Sequence, residues 1–275
     1  MTTNEPVTDA AIRLSDADLG RVMRLVRDAD SVELKVTIPG GEHRATIQGL
    51  PMDPVEAQPR QVFFFDTPDL ALNAAGVVVR ARRVQGGRGD TVIKLRPVVP
   101  ADLPKELRRQ ADFNVEVDIL PGGFVCSASF KGRCTGQEVR DVAEGRLPLR
   151  RLFSKTQRTF YAQHAPAGLR LDDLLVLGPT FLLKARFGVR SGSLPKDPER
   201  SLVAEMWLYP DGSRILELST KCLPSEALAV GQEVRTYLVG RGIDIGGAQQ
   251  TKTRTALEFY AARLAAEPAA DTDGA

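Results

Sequence analysis

The chain has 275 residues, 43% of them hydrophobic and 26% charged, with a formal net charge of +2. That balance fits a soluble globular protein of one large or two small domains, and speaks against one that coats nucleic acid by bulk positive charge. Three cysteines with no CxxC pair and only two histidines speak against a disulfide scaffold and a zinc site, and fit a reducing compartment.

The first 14 residues, "MTTNEPVTDAAIRL", show no basic region followed by an apolar core, so a loose leader rather than a secretion signal is expected. No stretch approaches the roughly 20 apolar residues of a membrane span. The expected setting is therefore the cytoplasm. "SDADLGRVMRLVRDAD" predicts a first helix, with Ser15 as N-cap, Asp16 and Asp18 in the first turn, and a stripe of Leu19, Val22, Met23 and Val26. Short extended runs then predict strands at 31–38, 61–65, 76–84, 91–96, 113–119, 155–163, 180–187, 201–208 and 213–220. "IPGGEHR" reads as a turn after the first strand, "QGGRGD" links the third and fourth, and "YPDGSR" closes a hairpin. A short helix is expected after "DTPD", where Pro68 suits a first turn, with others near 102–110, 136–145, 225–240 and 252–265. We read 15–265 as one domain without internal repeat, followed by a disordered tail at 266–275.

Charge alternates along these strands. "SVELKVTI" puts Ser31, Glu33, Lys35 and Thr37 on one face and Val32, Leu34, Val36 and Ile38 on the other, because strand side chains have period two. By the same parity Arg80 and Arg82 oppose Val77, Val79 and Ala81, and Lys94 and Arg96 oppose Ile93 and Leu95. Asn114, Glu116 and Asp118 oppose Val115, Val117 and Ile119, while Lys184 and Arg186 oppose Leu183, Ala185 and Phe187. Glu205 opposes Ala204, Met206 and Leu208, and Glu217, Ser219 and Lys221 oppose Leu216 and Leu218.

An ordinary sheet with one solvated face also alternates. Basic pairs on three strands, however, repel when the strands are neighbours. A sheet closed with the charged face inward makes a cationic channel with an acidic wall. Such a channel calls for a polyanion, and its acids for a hard cation that bridges to phosphate oxygens. Trp207 shares the parity of Glu205 and reads as a packing residue or a base-stacking one. Lys252 and Arg254, near the start of the last helix, read as a solvated face, with closure of one channel mouth by that helix as the alternative.

These residues resemble the CYTH family, the triphosphate tunnel metalloenzymes, which includes class IV adenylyl cyclases, thiamine triphosphatases and inorganic triphosphatases. "SVELK" resembles the family's ExExK strand, with Ser31, Glu33 and Lys35 at its three marked positions. "VFFFDTPDLALNAAGVVVRARR" resembles its run from YFDTPD through a short helix to an arginine-bearing strand, "TVIKLRP" its Lys-x-Arg strand, and "ILELS" its late ExE strand. The resemblance spans roughly residues 31 to 221.

It implies an α+β fold, a closed eight-stranded antiparallel β-barrel with a polar, charged lumen and flanking helices. It implies metal ligation by Glu33 and Glu217, with Mg²⁺ or Mn²⁺ as the ion, and phosphate binding by Lys35, Arg80, Arg82, Lys94 and Arg96. Glu33 and Lys35 would stand at the reaction centre. Glu116 and Asp118 match the family's middle acidic strand as further metal ligands. Periodicity adds Glu205 to the acids and Lys184, Arg186 and Lys221 to the phosphate-binding set. Two departures stand out: Ser31 and Ser219 occupy positions where the family carries glutamate.

Three functions remain open at this point. The first is metal-dependent phosphohydrolysis of a triphosphate-containing substrate: inorganic triphosphate, a nucleoside triphosphate or thiamine triphosphate. The second is non-catalytic binding of a nucleotide or polyphosphate by a degenerate metal site, and the third a class IV-type adenylyl cyclase. In each the expected partner is a small polyanion, with no nucleic acid and no membrane. A purely structural ion-pair network is the competing reading of the charged faces.

Overall fold

A computed structural model describes residues 16–190, 199–249 and 252–266. The leader expected at 1–14, Ser15, and the tail beyond Ala266 lie outside the described residues. Among those described, nine strands form one closed barrel: β1 (Ser31–Ile38), β2 (Gln58–Asp66), β3 (Val77–Val84), β4 (Gly89–Leu95), β5 (Phe113–Leu120), β6 (Gly123–Cys134), β7 (Leu175–Arg190), β8 (Glu199–Leu208) and β9 (Arg214–Cys222). Eight helices accompany them: α1 (Asp16–Arg27), α2 (His43–Gly49), α3 (Ala71–Ala74), α4 (Lys105–Arg108), α5 (Gly136–Ala143), α6 (Lys155–His164), α7 (Ala227–Val239) and α8 (Lys252–Ala266).

The order around the barrel is β1-β5-β6-β4-β3-β2-β7-β8-β9, and β9 returns to β1. The expected eight antiparallel strands become nine in a mixed sheet. The parity of the ring dictates the mixture. Each antiparallel neighbour reverses strand direction, and a closed ring must restore it, so an odd number of strands needs at least one parallel pair. That pair is β1 with β5, in which Glu33 lies beside Asp118 and Ser31 beside Glu116. The other eight pairings are antiparallel.

Two sequence readings need correction. Residues 155–163 form α6 rather than a strand. Ser154 Oγ accepts the Gln157 N–H and Gln157 Oε1 accepts the Ser154 N–H, a capping box that starts a helix whose Phe160 and Tyr161 are buried. The missing strand is β6, whose "GFVCSASFKGRC" is rich in small residues and weak in β-branched ones, so the strand signal is faint. The turn expected at "IPGGEHR" also runs on into α2, and only Lys105–Arg108 of the expected 102–110 helix is α-helical.

The outward strand faces carry most of the apolar core. A large cluster joins Val22 and Val26 of α1, Val79, Ile93, Val115, Val117 and Phe130 of the wall, and Val139, Phe160 and Tyr161 of α5 and α6. A second joins Val36, Ile38, Leu202 and Leu216 to Leu238 of α7. Each fully buried side chain of this size stabilises by about 1.5–3 kcal/mol. α6 docks through Gln157, whose Nε2 donates to the carbonyls of Thr91 and Phe130 at 3.4 and 3.3 Å. Gly132 permits this approach, since a Cβ there would stand 2.5 Å from Gln157 Oε1.

Candidate functional site

Register settles which face looks inward. Lys35 pairs with Ser219, Ser219 with Val203, and Val203 with Arg186. Lys184 pairs with Glu205 and Gln58, Arg82 with Val62 and Asp90, and Lys94 with Ser129. Cross-strand partners share a face, so every site residue expected on a strand lies on the same lumenal surface. The outward face is the apolar one, covered by the helices.

Glu33, Glu116 and Asp118 each offer a carboxylate oxygen within 4.8 Å of the others. The Lys35 ammonium lies 3.0 Å from Glu33 Oε2 and 3.0 Å from Asp118 Oδ1. Both contacts are ion pairs inside the barrel, where Asp118 is only 3% exposed. Burial disfavours the charge on Lys35, but Asp118, Glu33, Glu217 and Glu116 together raise its pKa well above the usual lysine value. Burial likewise pushes Glu116 up, yet Lys221, Lys94 and Lys35 outweigh it and hold the carboxyl at about 2. Ser31 Oγ donates to Glu116 Oε2 at 3.4 Å, and Lys221 pairs with that same oxygen at the exposed rim. An all-carboxylate donor set suits a hard cation such as Mg²⁺ or Mn²⁺.

The basic wall faces this group. Arg96 Nη2 stands 3.6 Å from Asp118 Oδ2. The Arg96 N–H donates to the Gly76 carbonyl at 2.8 Å, and Gly76 adopts φ +74° where a Cβ would clash with the Arg96 carbonyl at 2.5 Å. Arg82 pairs with Asp90 at 2.8 Å, while Arg80 reaches that carboxylate only at 3.8 Å. The Nε atoms of Arg80 and Arg96 are buried without a hydrogen-bond partner. Burial, then Arg82 and Arg96, lower the Arg80 guanidinium to about 10. Burial, with Arg96 and Lys35, lowers the Lys94 ammonium to about 8, against the pull of Asp118 and Glu116. Such depressed cations mark a site short of negative charge.

Glu205 and Glu217 do not join the three-carboxylate group. They are register partners on β8 and β9, and both bind the Lys252 ammonium at 2.6 Å. Glu205 also accepts from Lys184 at 3.0 Å and from Trp207 Nε1 at 3.3 Å. Lys252 is thus inside the barrel, which favours the reading of this helix as a closure of one mouth over that of a solvated face. Arg254 is exposed and pairs with Glu258. Below the charged layer, Val62, Phe64, Val78, Leu182, Trp207 and Ile215 turn apolar side chains toward Ala256, Leu257 and Tyr260 of α8, which closes this end. Trp207 is a packing residue there. Arg186 and Lys221 are exposed at the rim.

Sequence reasoning missed at least five lumenal groups, two of them Lys131 and Arg133 on the unread strand β6, register partners of Val92 and Asp90. Arg60 and Asp90 fell just outside the strands as read, and extending the period-two pattern into "QPR" and "GD" brings them in. Lys252 carries no strand parity, and its only signal is a basic residue beginning an otherwise apolar helix. The "DTPD" motif turns out to be local: Asp66 accepts backbone N–H groups from Thr67, Leu72 and Asn73 at 2.8–3.0 Å, pinning α3 to the end of β2.

No family model matches the chain, and no curated protein sequence matches it significantly. Solved structures do. A candidate adenylyl cyclase from Hippeastrum, described as having a dominant triphosphatase activity, superposes with a TM-score of 0.60 at 15% identity over 82% of this chain and 95% of that one. A candidate adenylate cyclase from Bacillus halodurans gives 0.52 at 14% identity, over 82% and 98%. At these identities the likeness concerns the fold: the chain has a CYTH-like tunnel fold.

Proposed function

We propose that the lumen binds the triphosphate moiety of a small polyanion and, with a divalent cation held by Glu33, Glu116 and Asp118, promotes hydrolysis of a phosphoanhydride bond. The observation that carries this reading is the pair of buried guanidinium Nε donors on Arg80 and Arg96, left without partners beside a three-carboxylate group. A buried donor without an acceptor is costly unless a ligand supplies one. Arg80, Arg82, Lys94 and Arg96 line one wall and would receive phosphate oxygens, with Lys184 and Arg186 further along it. Lys35 sits between wall and acids, where it would offset charge that builds on the phosphate. A bound Mg²⁺ or Mn²⁺ would withdraw charge from the phosphate oxygens. Phosphoryl transfer needs positioning and charge stabilisation more than a protein nucleophile. No Ser-His or Cys-His constellation is needed.

The second reading is a triphosphate-binding protein without chemistry, favoured by Ser31 and Ser219 where the resembling family has carboxylates. Phosphate release from inorganic triphosphate, ATP and thiamine triphosphate, with Mg²⁺ and with Mn²⁺, separates the two. Metal-dependent release that disappears in Glu33→Gln is the expected result. Pyrophosphate release from ATP with formation of a cyclic nucleotide would instead identify a cyclase. Thermal stabilisation by tripolyphosphate without release, followed by activity gained in Ser31→Glu/Ser219→Glu, would identify a binder. No stabilisation and no release would defeat both readings.

A further inference from the structure

Glu205 and Glu217 face each other across the β8–β9 register in a water-poor part of the lumen, 9% and 4% exposed. Two such carboxylates repel and require a cation. The cation is part of the chain. Lys252 Nζ lies 2.6 Å from an oxygen of each, and 5.3 Å from the centre of the Trp207 ring. Its backbone is fixed as well, because the Tyr209 hydroxyl donates to the Lys252 carbonyl at 3.1 Å. The helix that carries it is anchored by buried Ala256, Leu257 and Tyr260, and the Tyr260 hydroxyl donates to the Pro179 carbonyl at 2.5 Å.

The local charge is already closed. Two carboxylates, Glu205 and Glu217, meet two ammoniums, Lys252 and Lys184. Both oxygens of Glu205 are engaged. A divalent ion entering here would have to shed water, displace a tethered ammonium and leave it buried among cations. Glu33, Glu116 and Asp118 differ in bringing three carboxylates within 4.8 Å of one another, with Lys35 paired to two of them.

We propose that Lys252 is a tethered cation standing in for a divalent ion between Glu205 and Glu217, so that this half of the lumen takes no metal. A single divalent ion at Glu33, Glu116 and Asp118 then completes the lumen; that part rests on the function proposed above, whereas the exclusion at Glu205 and Glu217 does not.

Mn²⁺ binding to the full chain, counted by electron paramagnetic resonance and titration calorimetry, tests this. The wild type is expected to bind one Mn²⁺ and to keep it in Glu217→Gln. Lys252→Met is expected to bind one Mn²⁺ more than the wild type, to gain more thermal stability from it, and to lose the extra ion in Lys252→Met/Glu217→Gln. Lys252→Arg is expected to keep the wild-type count. A wild type that loses an ion in Glu217→Gln overturns the inference, and that comparison decides even where Lys252→Met fails to fold. A folded Lys252→Met with the wild-type count overturns it too. A wild type that binds no Mn²⁺, beside a Lys252→Met variant that binds one through Glu217, upholds the tethered cation while defeating the metal reading of the proposed function.

Discussion

Lys35 on β1 and Asp118 on β5 meet at 3.0 Å because the one parallel pairing of the barrel sets Glu33 beside Asp118. The contact couples fold closure to the acidic group. Asp118→Asn removes a buried countercharge from Lys35 while preserving shape. It should destabilise the protein by about 3 kcal/mol, the scale for breaking a buried ion pair from one side. Urea denaturation measures it, and an unchanged midpoint would show that Glu33 alone satisfies Lys35.

Arg80 should trade stability against binding. Its side chain is half-buried, its buried Nε has no hydrogen-bond partner, and its neighbour Arg82 repels it. Arg80→Gln is expected to raise the melting temperature of the free protein. The same change should weaken tripolyphosphate binding by about tenfold or more, since a hydrogen bond to a charged group contributes about 1.5–3 kcal/mol. Loss of stability together with unaltered affinity would mean that the arginine is purely structural.

Lys94 carries a pH signature. Its folded value of about 8 lies below the ordinary 10.5. Below pH 8 both states are protonated and the full burial penalty applies. Between those values the unfolded chain binds more protons, so stability rises with pH, and above both the penalty is gone. Lys94→Met should remove that rise and stabilise the protein at pH 7. A bound triphosphate supplies negative charge and restores the proton, so binding near pH 8.5 should take up protons from buffer. Calorimetry in two buffers of different ionisation heat, with Lys94→Met as control for protonation of the ligand itself, reads this uptake; equal uptake by both proteins would refute it.

Gln157 joins α6 to the barrel wall. Gln157→Ala removes the side-chain half of the capping box, leaving the Ser154 N–H without its acceptor, and the bonds to the Thr91 and Phe130 carbonyls. The expected cost is about 2–3 kcal/mol, from half of the capping box and buried acceptors left unpaired. Gln157→Glu should do worse, since it exchanges the amide donor for a charge. Thermal denaturation of the two variants checks both the size and the order.

Much of the lumen was legible because side-chain alternation is a property of the extended backbone itself. "RAR", "KLR" and "ELK" place their charges on one face wherever the strand ends up. The same argument made the opposite faces apolar and called for covering helices, which α1, α5, α6 and α7 supply. Residues 155–163 misled because "TFYA" carries strand-forming types while Ser154, five residues upstream, caps a helix. The small residues of β6 concealed a strand whose stability comes from its neighbours rather than its own propensity.

Local pattern determined which residues share a face, and with them the alternating character of the wall. It carried no information on which strand lies beside which. That Glu33 groups with Glu116 and Asp118 while Glu217 pairs with Lys252 was decided only by the ring order, with β1 set between β5 and β9. Strand order is selected by contacts between segments far apart in the chain, through burial of the outward faces and closure of the ring. The placement of Lys252 was decided in the same way, since α8 enters the barrel end only because Leu257 and Tyr260 find an apolar floor there. An ammonium at the head of a helix is ordinary in sequence; tertiary packing made it the counterion of two buried carboxylates.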